Sequence, residues 1–144
     1  MYERIPLLAA ALWWGSLSAI GFMAVPMLFS QLPTPALAGF MAAKLFAAQT
    51  WVSIACAALL LVLSRRKHST TMEAWAQSAL VFVIGGMLLA LIVQYGVSPR
   101  IVARENLRLW HSLGTVMYAL QWLCALAVLW RVGRPPASLP PSRA

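Results

Sequence analysis

Few side chains in this sequence could do chemistry, and those few fall in a pattern. His111, Thr115, Tyr118 and Trp122 follow one another at intervals of four, three and four. On a helix that spacing puts an imidazole, a hydroxyl, a phenol and an indole on one face. Lys44 and Gln49 form a second polar group, and Gln94 with Tyr95 a third. Together they could hold a small ligand by hydrogen bonds. Met23, Met27, Met41 and Met117 add thioethers. Thioether and imidazole are soft or borderline donors, so His111 with Met23 and Met27 would suit Cu(I). Filling gaps in a packed interior is the plainer role for methionine. Haem ranks below copper, because His111 is the one embedded histidine and His68 falls in a polar loop. No embedded carboxylate stands ready as a base or proton relay, so the expectation is a protein that is not an enzyme. Cys56 and Cys124 lie far apart in apolar sequence without C-x-x-C spacing and read as inert small hydrophobes.

The elements that must position these groups are written in the composition. Of 144 residues, 62% are hydrophobic and 10% charged, against about 25% charged in a soluble domain. A lipid-facing surface can be built from such a chain, and a water-facing one cannot. Four uncharged blocks predict transmembrane helices over about 5–29, 37–63, 74–98 and 108–131, each near the roughly 20 apolar residues that a span needs. In lipid the backbone must satisfy its own hydrogen bonds, so the spans are helices and the class is an all-α integral membrane four-helix bundle. Pro33 and Pro35 close the first joint. Pro26 is expected to bend the first helix, and Pro99 to end or bend the third. Residues 1–131 form one domain, and 132–144 read as a disordered Pro-rich tail.

The formal charge of +8 suggests nucleic acid at first sight. The cations sit between and beyond the apolar blocks, where membrane topology places them, and no nucleic-acid motif accompanies them. With the N-terminus inside, the inner side carries Arg4, Arg65, Arg66, Lys67, Arg131, Arg134 and Arg143, and the outer side Arg100, Arg104 and Arg108. Both termini are therefore expected in the cytoplasm. Met1 to Arg4 has no net positive charge and the first block is long for a leader, so it is expected to stay as a span. Trp13, Trp14, Trp51, Trp75, Trp110 and Trp130 read as interfacial belt residues. The small-residue repeats Ala11-Gly15-Ala19 and Gly86-Ala90 read as packing faces within the chain.

Placed by depth, Lys44, Gln49, Gln94, His111, Thr115 and Tyr118 converge on the outer half of the bundle, with Gln77 and Gln121 as exceptions. Embedded polarity is costly, which makes that convergence a candidate pocket. His111, Thr115 and Tyr118 should then face the interior, with Gln49 or Gln94 in reach.

Several short motifs carry a resemblance. They are Leu12-Trp13-Trp14-Gly15-Ser16, Gly21-Phe22, Ala24-Val25-Pro26, Leu28-Phe29, Ala38-Gly39, Lys44-Leu45-Phe46, Ser98-Pro99-Arg100 and Trp110-His111-Ser112. The chain resembles the bacterial domain of unknown function 4149 family, which includes the animal transmembrane protein 205, and is distantly similar to the copper-resistance protein D group. The resemblance implies a four-helix protein of the bacterial inner membrane without an agreed activity. It also implies a link to soft metals, since the animal member is associated with tolerance to platinum drugs. Pro26, Pro99 and His111 are the positions it carries over. Relatives often have glycine after the histidine, where this chain has Ser112. The functional expectation is a binding or structural module with an outer polar pocket for a soft metal ion or small ligand. The alternatives are an accessory subunit or assembly factor of a larger membrane complex, and a haem-linked enzyme. Expected partners are the lipid bilayer and a membrane protein or second copy, not nucleic acid.

Overall fold

A computed structural model describes residues 4–65 and 70–134, with side chains described outside 70–78. The expectations for Lys67, His68, Trp75, Gln77 and the tail from 135 onward lie outside the described residues. The first span runs Ile5–Gln31 as α1 (Ile5–Ala19), a π-helical turn (Ile20–Ala24) and α2 (Val25–Gln31). The second is a single helix, α3 (Pro35–Ser64). The third comprises α4 (Thr70–Ile92), a second π-helical turn (Val93–Val97) and α5 (Ser98–Val102). The fourth is α6 (Leu107–Val132). Four helices are long and apolar enough to cross a membrane, and among the described residues there is no strand.

Local chemistry explains where the elements start and how they bend. Thr34 is the N-cap of α3, its hydroxyl accepting from Leu37 N–H at 3.2 Å, and Pro35 occupies the first turn, where a missing N–H costs nothing. Pro26 and Pro99 do not end their spans. Each sits at the start of a new α segment directly after a π turn. A proline removes one ladder donor and crowds the carbonyl four residues back, and the widened turn absorbs both effects while the chain stays helical. The chain reverses before α6 through Arg104 and Asn106, both with left-handed φ, 57° and 37°.

The helices pack as a square. α1 contacts α3 and α6, and α4 contacts α3 and α6. Among the described residues the backbones do not meet across the two diagonals, and side chains bridge the gap. Trp13, fully buried, crosses from α1 to Gly86 on α4. Gln121 crosses from α6 to Ser53 on α3. The core is otherwise small and aliphatic, with Ala10, Leu17, Ala57, Leu60, Val83, Ala125 and Val128. Alanines at helix contacts let the backbones approach, which is how spans gain dispersion energy where lipid is as apolar as leucine.

Two expectations about packing are corrected. Trp13 is a core residue, and Trp14 is half-buried with its ring 5.7 Å from that of Trp122, while Trp51 is exposed near the middle of its span. None of the three is an interfacial belt residue. Gly86 and Ala90 are buried as packing residues, but Ala11 and Ala19 are exposed and a methyl group at Gly15 would meet nothing within 4 Å. The Ala11-Gly15-Ala19 stripe therefore faces outward.

Candidate functional site

The embedded polar groups do not gather in the outer half. They gather at mid-depth. Gln49 and Ser53 are near the centre of α3, Ser16 and Ser18 near the centre of the first span, and Tyr118, Gln121 and Trp122 near the centre of α6. Each is within about four residues of its span's midpoint, or roughly 6 Å at 1.5 Å per residue.

Ser53 is the hub. It is fully buried and accepts from Gln49 Nε2 at 3.4 Å and Gln121 Nε2 at 3.0 Å. Gln49 Nε2 also donates to Ser16 Oγ at 3.0 Å. Ser16 in turn donates to the Trp13 carbonyl at 3.0 Å. This chain of donors fixes the Gln49 amide orientation. The Ser16 hydrogen is committed to a carbonyl, so its oxygen must accept, and the group facing it must be the amide nitrogen. The Gln49 oxygen is left over. It is buried on a residue only 2% exposed and has no hydrogen-bond partner among the described residues. The indole Nε1 groups of Trp13 and Trp14 are likewise buried and unpartnered. Two unpaired donors and one unpaired acceptor thus lie among the mid-depth residues of the bundle.

Two further contacts tie α6 to the first span at the same level. Trp122 Nε1 donates to Ser18 Oγ at 2.8 Å, and Ser18 donates to the Trp14 carbonyl at 2.9 Å. The Tyr118 hydroxyl donates to the Leu17 carbonyl at 2.8 Å, and the Gly21 N–H faces the Tyr118 hydroxyl oxygen. A regular helix would join Leu17 and Gly21 directly. A side chain inserted between them opens the ladder, which accounts for the π turn beginning at Ile20. Gly21 is required there, because a Cβ would come within 2.6 Å of Tyr118 Cε1.

The other predicted site residues are placed elsewhere. His111 and Thr115 are exposed, and the Thr115 hydroxyl is satisfied by the His111 carbonyl at 2.9 Å. They share a face with Tyr118 and Trp122, as expected, but among the described residues nothing covers that face near the helix start. Beyond the π turn the first span leaves α6, and α2 packs on α3 instead. This corrects the expected outer pocket. Met23 and Met27 are 64% and 58% exposed, so they do not line an interior. Lys44 is exposed, its Nζ 4.6 Å from the Phe40 ring centroid, directed back toward its own helix start. Gln94 is half-buried in the second π turn. Among the described residues no three His, Cys, Asp or Glu side chains could hold a metal ion together. Of the predicted set, Gln49 and Tyr118 join the mid-depth network. Ser16, Ser18, Ser53, Gln121 and Trp122 are its further members. Serine is often a silent helix residue; Gln121 stands out in the sequence as embedded polarity, but no sequence signal ties it to Ser53.

Comparison with curated proteins found no match, and comparison with solved structures found none. A family model, domain of unknown function (DUF4149), matches residues 8–110. The match takes in Ser16, Gln49 and Ser53 and stops as α6 begins. It covers well over half of the chain and takes in the motifs from the first span to Ser98-Pro99-Arg100, while His111 and Ser112 lie beyond its end. The chain therefore belongs to the DUF4149 family of unknown function.

Proposed function

We propose that this chain is a small, non-catalytic membrane module whose mid-depth polar cluster binds one small neutral hydrogen-bonding molecule. The observation that carries the reading is the Gln49 side-chain oxygen, buried at mid-depth without a partner among the described residues. An unsatisfied polar group inside protein costs about 1–3 kcal/mol, and lipid offers it nothing. A guest that donates one hydrogen bond to Gln49 removes that cost. The unpartnered Trp13 and Trp14 indoles add donors for a guest that also accepts. Water is the smallest molecule with both functions, and an alcohol or amide is the next class. The exposed positions of His111, Met23 and Met27 give the soft-metal reading no support. To test the proposal, the purified chain is denatured and any released small molecule is identified by mass spectrometry, while water is detected by magnetisation transfer to the Gln49 amide in lipid bilayers. A guest seen in the parent and lost in Gln49→Leu supports the reading. A parent with neither an organic guest nor water beside Gln49 overturns it.

A second reading, the accessory subunit, is favoured by one observation. The outward Ala11-Gly15-Ala19 face is unused inside the chain, and small-xxx-small faces are where spans meet other spans. Gly15→Leu would abolish capture of a membrane partner if this face serves one, and would leave it unchanged otherwise.

A further inference from the structure

The fourth span begins with a face that the bundle does not cover. Arg108, His111 and Thr115 fall at i, i+3 and i+7, continuous with Tyr118 and Trp122. Tyr118 and Trp122 are capped by the first span. Above them α2 has turned away toward α3, and Arg108, His111 and Thr115 are all exposed. At the head of this open strip stands a pair of cations. Arg104 is in the turn and Arg108 in the first turn of α6, and neither side chain has a partner among the described residues. Glu105 is the one acidic residue beside them, and it pairs with neither. Arg100 is different. Its guanidinium bonds the Gly96 carbonyl and lies 4.5 Å from the Trp110 ring centroid, so it fastens α5 to α6.

We infer that this strip is a docking site for an anionic phospholipid of the leaflet at that end of the bundle. The order of groups along α6 follows the order of groups along a lipid. Two free guanidiniums lie at the span boundary, where the phosphate and an acidic headgroup would be. The His111 imidazole comes one turn deeper, at the level of the glycerol esters, where a donor can bond an ester carbonyl. The apolar flank of α6 continues inward alongside the acyl chain. The short loop 103–106 keeps Arg104 and Arg108 at the membrane boundary, so a lipid phosphate is favoured over a soluble anion. This site is separate from the mid-depth cluster and stands or falls independently of it.

The test uses the full chain in neutral detergent micelles, titrated with phosphatidylglycerol, phosphatidylcholine or inorganic phosphate and read by native mass spectrometry. A cation near an anionic surface contributes about fivefold to binding, so Arg104→Gln with Arg108→Gln should weaken phosphatidylglycerol binding by roughly twentyfold to thirtyfold. Arg104→Lys with Arg108→Lys should keep most of the binding, which separates lost charge from lost fold. Removing the same charge at the other end, with Arg65→Gln and Arg134→Gln, should change binding less than threefold or so on the same electrostatic reasoning. His111→Leu should weaken phosphatidylglycerol and phosphatidylcholine alike. Equal losses from the two ends would reduce the effect to net charge and overturn the inference. Phosphatidylglycerol binding that survives the Arg104/Arg108 glutamine pair, or inorganic phosphate competing it off at equal concentration, would overturn it as well.

Discussion

Gly86→Ala gives a sharp test of how this bundle is held together. A methyl group built at Gly86 would come 2.9 Å from both Cζ2 and Cη2 of Trp13 and 3.2 Å from Cys124 Cβ. Carbon atoms prefer about 3.5–4.0 Å. The indole cannot yield, since Trp13 is fully buried among Leu17, Ala57, Leu60 and Val83. α4 must therefore move away from α1, or Trp13 must leave its rotamer. Overpacking of this kind costs about 1–3 kcal/mol. A helical glycine-to-alanine change alone gains roughly 0.5–1 kcal/mol, so the net loss should fall between about 0 and 2.5 kcal/mol, and the gap to a glycine-to-alanine change without the clash should be about 1–3 kcal/mol. Gly15→Ala is the matched control, because its methyl group would meet nothing within 4 Å. The assay is reversible unfolding in mixed micelles of rising denaturing-detergent fraction, followed by tryptophan fluorescence and circular dichroism. Gly86→Ala should unfold earlier and Gly15→Ala should not. Trp13→Phe in the Gly86→Ala background should recover part of the loss, giving a favourable coupling energy in the double-mutant cycle. Equal stability of the two alanine variants would refute the claim that Trp13 spans the diagonal to Gly86.

Other expectations follow from the same contacts. Gly21→Ala should expel the Tyr118 ring, so Gly21→Ala and Tyr118→Phe should be markedly non-additive in stability; additive losses would detach Tyr118 from the π turn. Gln121→Leu, which removes the diagonal bond to Ser53, should cost about 0.6 kcal/mol and no more than about 1.7 in the same unfolding assay, the range for interhelical bonds in membranes. Reporter fusions after Arg66 and Arg134 should read cytoplasmic and one at Pro35 periplasmic; a periplasmic signal after Arg66 would reverse the orientation drawn from the basic residues.

The sequence makes some of this structure legible and hides the rest for identifiable reasons. Four spans could be read because lipid tolerates only long apolar helices, and the Thr34-Pro35 start carries its own cap and first-turn signals. The face carrying His111, Thr115, Tyr118 and Trp122 was also legible, since helical spacing is fixed. What covers that face was not. A lipid-facing helix is apolar all round, so periodicity does not separate inside from outside as it does in water. Whether His111 is covered depends on the first span's departure after Ile20, which Tyr118 causes from ninety-odd residues away. Depth is hidden in the sequence for a related reason. Lys44 and His111 dominate a count of polarity, yet exposed polar groups near span ends can reach the headgroups, whereas Ser53 and Gln121 carry no charge and form the buried network.

On the proposed reading the Gln49 side-chain oxygen accepts a hydrogen bond from a guest at mid-bilayer depth. Isotope-edited infrared spectroscopy reads that bond directly. The full chain, with side-chain ¹³C=O glutamine, is reconstituted in lipid bilayers, and the spectrum of Gln49→Leu is subtracted from that of the parent. A bound guest should give a Gln49 carbonyl band at the lowered frequency of a hydrogen-bonded amide, shifting back up when the guest is removed by drying or extraction. A Gln49 band at the frequency of a free amide carbonyl, unchanged by that treatment, would contradict that reading.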